Sequence, residues 1–302
     1  MTSMPQRSLK LVIGFSPTSL SDQVALALAD ALQAERGIAV TVVRQPGSNG
    51  TAAARAVAAG VADGSTVFLA TLTTHAIAPL LAGSALYDPL RDFAAVSLLT
   101  QSPMLLACHP GLGVRTVGEL IARANTAPAL KYATSALGGG PHLATELFQS
   151  LTRTSMRHVR YDETEQLYRD LEAGKVDLSF NNIASMLPRC RCGALTALGM
   201  SSAQRSAAAP DIPTIAEAGV PGYEMSNWTG IVAPAATPPR VVEELSGAIG
   251  AALRSPRCHS LLDAQGITPR AGTPREFSEF MAAERARWRD VVARFQDTQA
   301  AG

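Results

Sequence analysis

Short apolar segments rich in β-branched residues alternate with segments of helical periodicity along the first third of the chain. Residues 11–15, 38–43 and 67–72 are predicted strands. Between the first two, apolar residues recur at helical spacing, namely Val24, Leu26, Leu28, Ala29 and Leu32, and Gly37 is predicted to end this helix. Parallel neighbouring strands need a crossover of a dozen or more residues, which a helix supplies. The strand–helix–strand order therefore predicts the α/β class, with a parallel sheet covered by helices.

The same alternation resumes after residue 100 and predicts a second α/β lobe. Its predicted strands are 104–108, 130–134, 158–161, 176–180 and 195–200, and Thr116 with Glu119 predicts a capping box at a helix start. After a passage rich in Pro and Gly the chain has one more predicted strand, 230–233, and then only helices. Helices need a sheet to cover, so this tail is expected to return to the first lobe.

The chain is accordingly predicted to form two lobes, which its length of 302 residues also favours. We expect residues 8–103 and 226–302 to form lobe 1 and residues 104–225 to form lobe 2. The chain then crosses between the lobes twice, near residues 100–105 and 224–229. The expected architecture is therefore two α/β lobes around a ligand cleft, with two hinge crossovers.

Composition argues against several classes of partner. A formal net charge of +1 provides no electrostatic footprint for nucleic acid or an anionic membrane. No apolar run approaches the ~18 residues that a membrane span needs. Residues 1–7 contain no apolar signal core, so the chain is either cytosolic or a mature form whose export signal was removed. The four cysteines are interpreted as free thiols, and we expect neither a metal nor a cofactor.

In open α/β sheets ligands bind at the carboxyl ends of the strands, so the loops after the predicted strands are the candidate site. Four such loops are rich in Ser, Thr, Asn and Gly: residues 16–22, 71–75, 134–142 and 181–182. Hydroxyls, backbone amides and helix N-termini predict an anion site. Asp22 is expected to cap the first helix rather than contact a ligand. Gly138, Gly139 and Gly140, flanked by Ser135 and His142, either let the backbone approach a ligand closely or form a plain flexible turn.

Catalytic interpretations of these loops are weaker. The segment 14–18 ends in Thr where a nucleophile elbow needs Gly, and Pro17 removes an N–H that an oxyanion hole would use. The triple glycine is not followed by the residues of a phosphate-binding loop, and nothing matches a dinucleotide fingerprint. No histidine has an acid–base partner at useful spacing. We therefore expect a binding protein and not an enzyme.

Several motifs stand in the order typical of one protein family. They are Gly14-Phe15-Ser16-Pro17 with Asp22, Gln45-Pro46-Gly47-Ser48-Asn49-Gly50, Ala62-Asp63-Gly64-Ser65-Thr66, Tyr87-Asp88-Pro89-Leu90-Arg91-Asp92-Phe93, Thr134-Ser135 to Gly140, His142-Leu143-Ala144-Thr145-Glu146-Leu147-Phe148, Gly174-Lys175-Val176-Asp177-Leu178 and Pro210-Asp211-Ile212-Pro213-Thr214-Ile215-Ala216-Glu217-Ala218-Gly219. Over nearly its whole length the chain thus resembles the Bug (TctC) receptors of tripartite tricarboxylate transporters. The resemblance implies a periplasmic protein of the type II periplasmic-binding-protein fold. Such a receptor delivers a small carboxylate or amino-acid-like ligand to membrane transporter subunits, and we expect it to be a monomer.

The resemblance also implies which residues hold the ligand. In the family the carboxylate is held by the loop after the first strand and by the glycine segment of the second lobe. Two further matches are a Thr-His turn that lines the cleft, and a position where relatives often carry Asp and this chain has Asn181. The expected ligand-binding residues are Phe15, Ser16, Pro17, Thr18, Ser19, Thr73, Thr74, His75, Ser135, Ala136, Gly138, Gly139, Gly140, His142 and Asn181.

Two departures from the family pattern bear on the ligand. Thr18 and Ser19 stand where relatives commonly have two glycines, which restricts backbone approach to a carboxylate. Asp162 and Glu163 stand where relatives commonly have Lys-Gly. Either the ligand differs from the commonest ones or the specificity has drifted. Two rival classes are a ligand-sensing domain of a regulator, for which residues 1–10 are too short to supply a helix-turn-helix, and an α/β hydrolase.

Overall fold

The computed structural model describes residues 8–17, 19–82, 87–126, 128–135, 138–263 and 267–300, the last seven of these by their backbone alone. The chain divides into two compact units. Met1–Gln101 and Trp228–Gly302 form unit 1, and Ser102–Asn227 form unit 2. The chain passes from unit 1 to unit 2 within one long strand and returns within another.

Unit 1 is built on a mixed sheet. Strand β1 (Ser8–Ile13) pairs in parallel with β2 (Ala39–Arg44) and with β3 (Thr66–Thr71). Strand β3 also pairs antiparallel with the strand Ser226–Pro234, which is β9 in chain order. The helices of the unit are α1 (Leu20–Arg36), α2 (Thr51–Ala58), α3 (Ala78–Ala82), α8 (Pro239–Leu253), α9 (Pro256–Asp263) and α10 (Pro274–Ala300).

Helix α1 packs on this sheet through most of the apolar positions that the sequence predicts, but Leu26 is 48% exposed and lies outside that face. Val24, Leu28 and Leu32 are buried in one core with Leu11 and Ile13 of β1, because residues four apart lie on the same face of a helix. The core of unit 1 also takes in apolar side chains of α8 and α9.

Of the predictions for the two ends of α1, one is confirmed and one is wrong. Gly37 ends the helix in the left-handed conformation, with φ of 64°, as predicted. The N-cap is Ser19, whose hydroxyl accepts a hydrogen bond from the Asp22 N–H at 3.2 Å. The prediction that Asp22 caps this helix is therefore wrong. Asp22 lies inside the first turn, and its carboxylate accepts a hydrogen bond from the Arg44 Nε at 2.6 Å.

Unit 2 has a second mixed sheet. Strand β5 (Lys131–Thr134) pairs in parallel with β6 (Arg157–Arg160) and β7 (Leu178–Asn182). The end of the long strand β4 (Phe93–Cys108) pairs antiparallel with β7 and with β8 (Thr196–Met200). The helices of the unit are α4 (Val117–Ala124), α5 (Gly140–Thr152), α6 (Thr164–Glu172) and α7 (Ile183–Arg191). The predicted capping box of α4, between Thr116 and Glu119, is present.

Strand β4 is longer than the sequence pattern predicts. The predicted strand 104–108 is only its final part, because polar residues interrupt the apolar pattern before it. Two of these polar side chains are buried and paired: the Ser97 hydroxyl donates to the Gly272 carbonyl at 3.0 Å, and the Thr100 and Thr229 hydroxyls lie 2.7 Å apart. A polar residue can occupy a buried strand when its hydroxyl has a partner.

The tail of the chain also contains more than helices. A two-residue strand, β10 (Thr268–Pro269), pairs antiparallel with β4, so the prediction that only helices follow residue 233 is wrong. Among the helices of the described part of the chain, none combines the length and the apolar character that crossing a membrane requires.

Candidate functional site

The loops after β1 and β2 touch through two glycines of unit 1. A Cβ on Gly14 would lie 2.4 Å from the Gly50 Cα, so the two backbones are in direct contact. Gly50 has φ of +82°, which L side chains rarely adopt. A Cβ on Gly50 would in turn lie 2.9 Å from Thr74 Cγ2 and 3.3 Å from the Phe15 ring. The structure thus brings the predicted site residues Phe15 and Thr74 together.

The turn after β3 is held by two threonines that bond each other. The Thr71 N–H donates to the Thr74 hydroxyl at 3.0 Å, and the Thr74 N–H donates to the Thr71 hydroxyl at 3.1 Å. The Tyr87 hydroxyl donates to the Thr74 carbonyl at 2.7 Å. Thr74 is fully buried, so its hydroxyl serves the turn itself, whereas Thr73 is partly exposed.

His75 lies in an aromatic cluster of unit 1. Its ring centroid is 4.7 Å from that of Phe93, 5.8 Å from Phe68 and 6.0 Å from Tyr87. Its Nδ1 is 3.0 Å from the Thr74 hydroxyl. Burial lowers the pKa of His75 to about 3, so the ring is neutral at neutral pH. The neutral His75 ring therefore packs among these aromatic rings and contacts the Thr74 hydroxyl of the same turn.

The segment after β1 leads into the start of α1. Ser16 and Pro17 are exposed, Phe15 and Ser19 are partly buried, and Thr18 lies outside the described residues. The sequence reasoning considered loops only and missed Arg44, the last residue of β2. Its guanidinium is one-third exposed beside Asp22, which places a cation next to the first turn of α1. The signal that could have found it is the parallel register, which aligns Arg44 with Ile13 at the end of β1.

In unit 2 the carboxyl ends of β5 and β7 lie side by side. Tyr132 pairs with Leu178 in parallel register, and the Ser179 hydroxyl donates to the Ala133 carbonyl at 2.8 Å. Ser135 directly follows β5, and Asn181 is the fourth residue of β7. The predicted site residues Ser135 and Asn181 therefore lie at the carboxyl ends of two neighbouring parallel strands.

The glycine segment forms the start of α5. Gly139 is the N-cap and has no side chain to bond the first N–H groups, while Pro141 occupies the first turn. Gly138 has φ of +70°, and its N–H donates to the His142 Nδ1 at 3.2 Å. Ala136, which was predicted to bind the ligand, lies outside the described residues. The first turn of α5 therefore begins without a side-chain cap.

His142 belongs to a buried group of rings beneath that segment. Its centroid lies 4.6 Å from His158 and 6.1 Å from Tyr132. Burial, with a smaller contribution from the nearby His158, lowers the pKa of His142 to about 4. The Nε2 of His158 is 2.6 Å from the Thr134 hydroxyl. A neutral His142 can therefore accept the Gly138 N–H and hold the segment in place.

Asn227 is a site residue that the sequence reasoning missed. A Cβ on Gly140 would lie 2.4 Å from the Asn227 Oδ1, so this amide rests directly on the start of α5. No local sequence signal connects the two residues, because they are distant along the chain. The two acidic departures, Asp162 and Glu163, are both exposed.

The polar groups at these sheet ends are mainly hydroxyls, amides and backbone N–H groups. Such groups donate hydrogen bonds to an anion without reacting with it. Within the described ranges, no three or more His, Cys, Asp or Glu side chains lie close enough together to hold a metal ion. The arrangement can bind an anionic or oxygen-rich small molecule.

A family model described as "Tripartite tricarboxylate transporter family receptor" (TctC) matches residues 24–296. The chain belongs to this family. Protein BugT of Bordetella pertussis is 34% identical over 294 residues, which are 95% of this chain and 89% of BugT. The resemblance to the Bug (TctC) receptors is thereby confirmed.

Two solved structures of similar sequence share the fold of this TctC-family chain. "R. palustris Rpa4515 with adipate" is 34% identical with a TM-score of 0.84, and the match covers 96% of this chain and 98% of that one. MatC from Rhodopseudomonas palustris, with bound malate, is 28% identical with a TM-score of 0.81, covering 94% and 98%. These matches confirm the predicted α/β fold of periplasmic solute-binding proteins. Members of the TctC family are binding receptors and not enzymes, which agrees with the prediction for this chain.

Proposed function

We propose that this chain is a periplasmic receptor that captures a small carboxylate and presents it to the membrane subunits of a tripartite tricarboxylate-type transporter. Membership of the TctC receptor family supports the class of function and the location. The similar proteins Rpa4515 and MatC, which were solved with adipate and malate, support the choice of a carboxylate.

The observation that carries the carboxylate proposal is the start of α5. The first N–H groups of a helix have no partner inside it, and they carry partial positive charge. At α1 the Ser19 side chain caps them, whereas at α5 the cap residue is Gly139, which has no side chain. In this proposal a carboxylate oxygen accepts the Gly140 N–H, and the positive end of the helix dipole stabilises the bound charge.

The other residues of the predicted site take two roles in this proposal. Ser135, the backbone of Gly138–Gly140 and the segment 15–19 contact the ligand, and Thr73 adds a partly exposed hydroxyl. Thr74, His75 and His142 support the loops, because their polar atoms bond within the turn after β3 or to the Gly138 N–H. Arg44 adds a cation beside the first turn of α1.

Gly140→Ala tests the proposal, with Gly118→Ala as its matched control. The new Cβ at position 140 would lie 2.4 Å from the Asn227 Oδ1, so the amide or the helix start must shift. Gly118 is an exposed residue of α4 in the same unit, and a Cβ there meets nothing within 4 Å. We expect calorimetric titration with adipate, malate and succinate to show affinity about tenfold weaker for Gly140→Ala than for wild type, equivalent to one lost hydrogen bond of ~1.4 kcal/mol.

The control variant should bind as wild type does, and both variants should give wild-type circular dichroism. If Gly140→Ala binds with unchanged affinity, the ligand does not contact the start of α5. If wild type binds no carboxylate of a broader panel, which also includes acetate and benzoate, the proposed function itself is wrong.

A further inference from the structure

We infer that the ligand is a carboxylic acid with a second oxygen function and no amine, and that Asn181 makes this selection. The inference rests on the proposed function and names the chemistry of its ligand. It starts from the side-chain amide of Asn181, which is 5% exposed at the carboxyl end of β7.

The orientation of this amide is fixed by its neighbour. The Asn182 N–H donates to the Asn181 Oδ1 at 3.1 Å. A flipped amide would set two donors against each other, so the oxygen must face Asn182 and the NH₂ group must point the other way. The amide therefore presents donors, and not an acceptor, to whatever lies beyond it.

That NH₂ group has no hydrogen-bond partner among the described residues. Leaving a buried donor unpaired costs about 1–3 kcal/mol, so buried amides are normally satisfied. Asn181 also lies at the carboxyl end of β7, and the segment that leads to the glycines follows the carboxyl end of the neighbouring parallel strand β5. The unpaired donor thus belongs to the candidate site and is available to a ligand.

An acceptor oxygen is the group that satisfies this donor. A second carboxylate, a hydroxyl or a keto oxygen can accept the Nδ2 hydrogens, whereas a ligand ammonium would place its own hydrogens against them. The acidic residues Asp162 and Glu163 follow β6, which is two strands from β7, or about 10 Å at the usual strand spacing. Both are exposed, so solvent screens their attraction for an ammonium.

Asn181→Asp tests the inference because it changes charge with almost no change of shape. One carboxylate oxygen can still accept the Asn182 N–H, and the other replaces the NH₂ group. Asn182→Asp is the matched control: it adds the same charge one residue away, on the opposite face of β7 and at the N-cap of α7, where Asp is favourable.

The probes are two pairs of acids that differ by one amine: adipate with 2-aminoadipate, and succinate with aspartate. Titrations at pH 8 favour ionisation of the introduced carboxyl, whose pKa burial raises. We expect wild type to prefer the member without the amine. Asn181→Asp should shift the affinity ratio about tenfold or more toward the amino acid, and Asn182→Asp should shift it less than about twofold.

Three outcomes overturn the inference alone, and a fourth overturns the proposed function with it. It is wrong if wild type prefers the amino acids, or if the two variants shift the ratio equally. It is also wrong if wild type binds only acids without a second oxygen function, such as acetate or benzoate, and then the proposed function still stands. If wild type binds no carboxylate at all, both the inference and the proposed function are wrong.

Discussion

Gly14 determines how closely two loops of the candidate site approach each other. We expect Gly14→Ala to lower the free energy of unfolding by about 1–3 kcal/mol, because its Cβ would lie 2.4 Å from the Gly50 Cα and backbone cannot give way as a side chain does. Gly247→Ala is the control: this exposed residue of α8 has nothing within 4 Å of its Cβ, and alanine there should stabilise by roughly 0.5–1 kcal/mol. Urea unfolding measures both changes. Equal stability of wild type and Gly14→Ala would show that the loops are not in contact.

Single residues also show where sequence reasoning reaches its limit. The positions of Ser135 and Asn181 at strand ends follow from local patterns. The choice between Ser19 and Asp22 as the cap of α1 does not follow from them, because both residue types cap helices. The Asp22 carboxylate instead accepts a hydrogen bond from Arg44 of β2, which is distant along the chain. Asn227 was missed because its contact with Gly140 joins distant parts of the chain.

At the scale of elements, the start of α5 is coupled to pH through His142. Its pKa in the folded protein, about 4, is below the value near 6.5 of an unfolded chain. The contribution of the neutral ring to stability is therefore complete above about pH 6.5 and is lost as the pH falls toward 4. Protonation of Nδ1 would also remove the acceptor of the Gly138 N–H.

His142→Asn isolates this contribution, since the amide oxygen can accept the Gly138 N–H but does not titrate. Between pH 7 and pH 5 we expect wild type to lose about 2 kcal/mol more unfolding free energy than the variant. His75 titrates in both proteins, so its effect cancels in the difference. Urea unfolding of both proteins at the two pH values measures this difference. Equal losses of unfolding free energy in wild type and variant would show that His142 is not held neutral.

Strand β4 shows why some elements were predicted only in part. Its final residues form an apolar run that the pattern identifies, while Ser97, Thr100 and Ser102 make the earlier part resemble a loop. Two of these hydroxyls have partners on other segments, Gly272 and Thr229. Pairing at that distance along the chain leaves no local signal, whereas caps such as Thr116 with Glu119 are local and were predicted correctly.

For the whole molecule, the alternation of strands and helices was sufficient to predict the α/β class, because parallel strands require helical crossovers. The family followed from motifs spread over the chain and is confirmed by the match over residues 24–296. Ligand identity is harder, because it depends on a few donors whose orientation, such as that of the Asn181 amide, only the structure shows. The bounds of the two lobes and the list of ligand-binding residues stay predictions.

The central claim, that this receptor binds a small carboxylate, is tested most directly by calorimetric titration of the wild-type protein with adipate, malate and succinate. For each acid, the corresponding diamide or diol serves as a neutral control. The account predicts saturable binding of at least one acid, with one ligand per chain, and a rise in unfolding free energy of about 2.7 kcal/mol at a hundred times Kd. Binding of none of these acids and of neither acetate nor benzoate, or equal binding of the neutral controls, would contradict it.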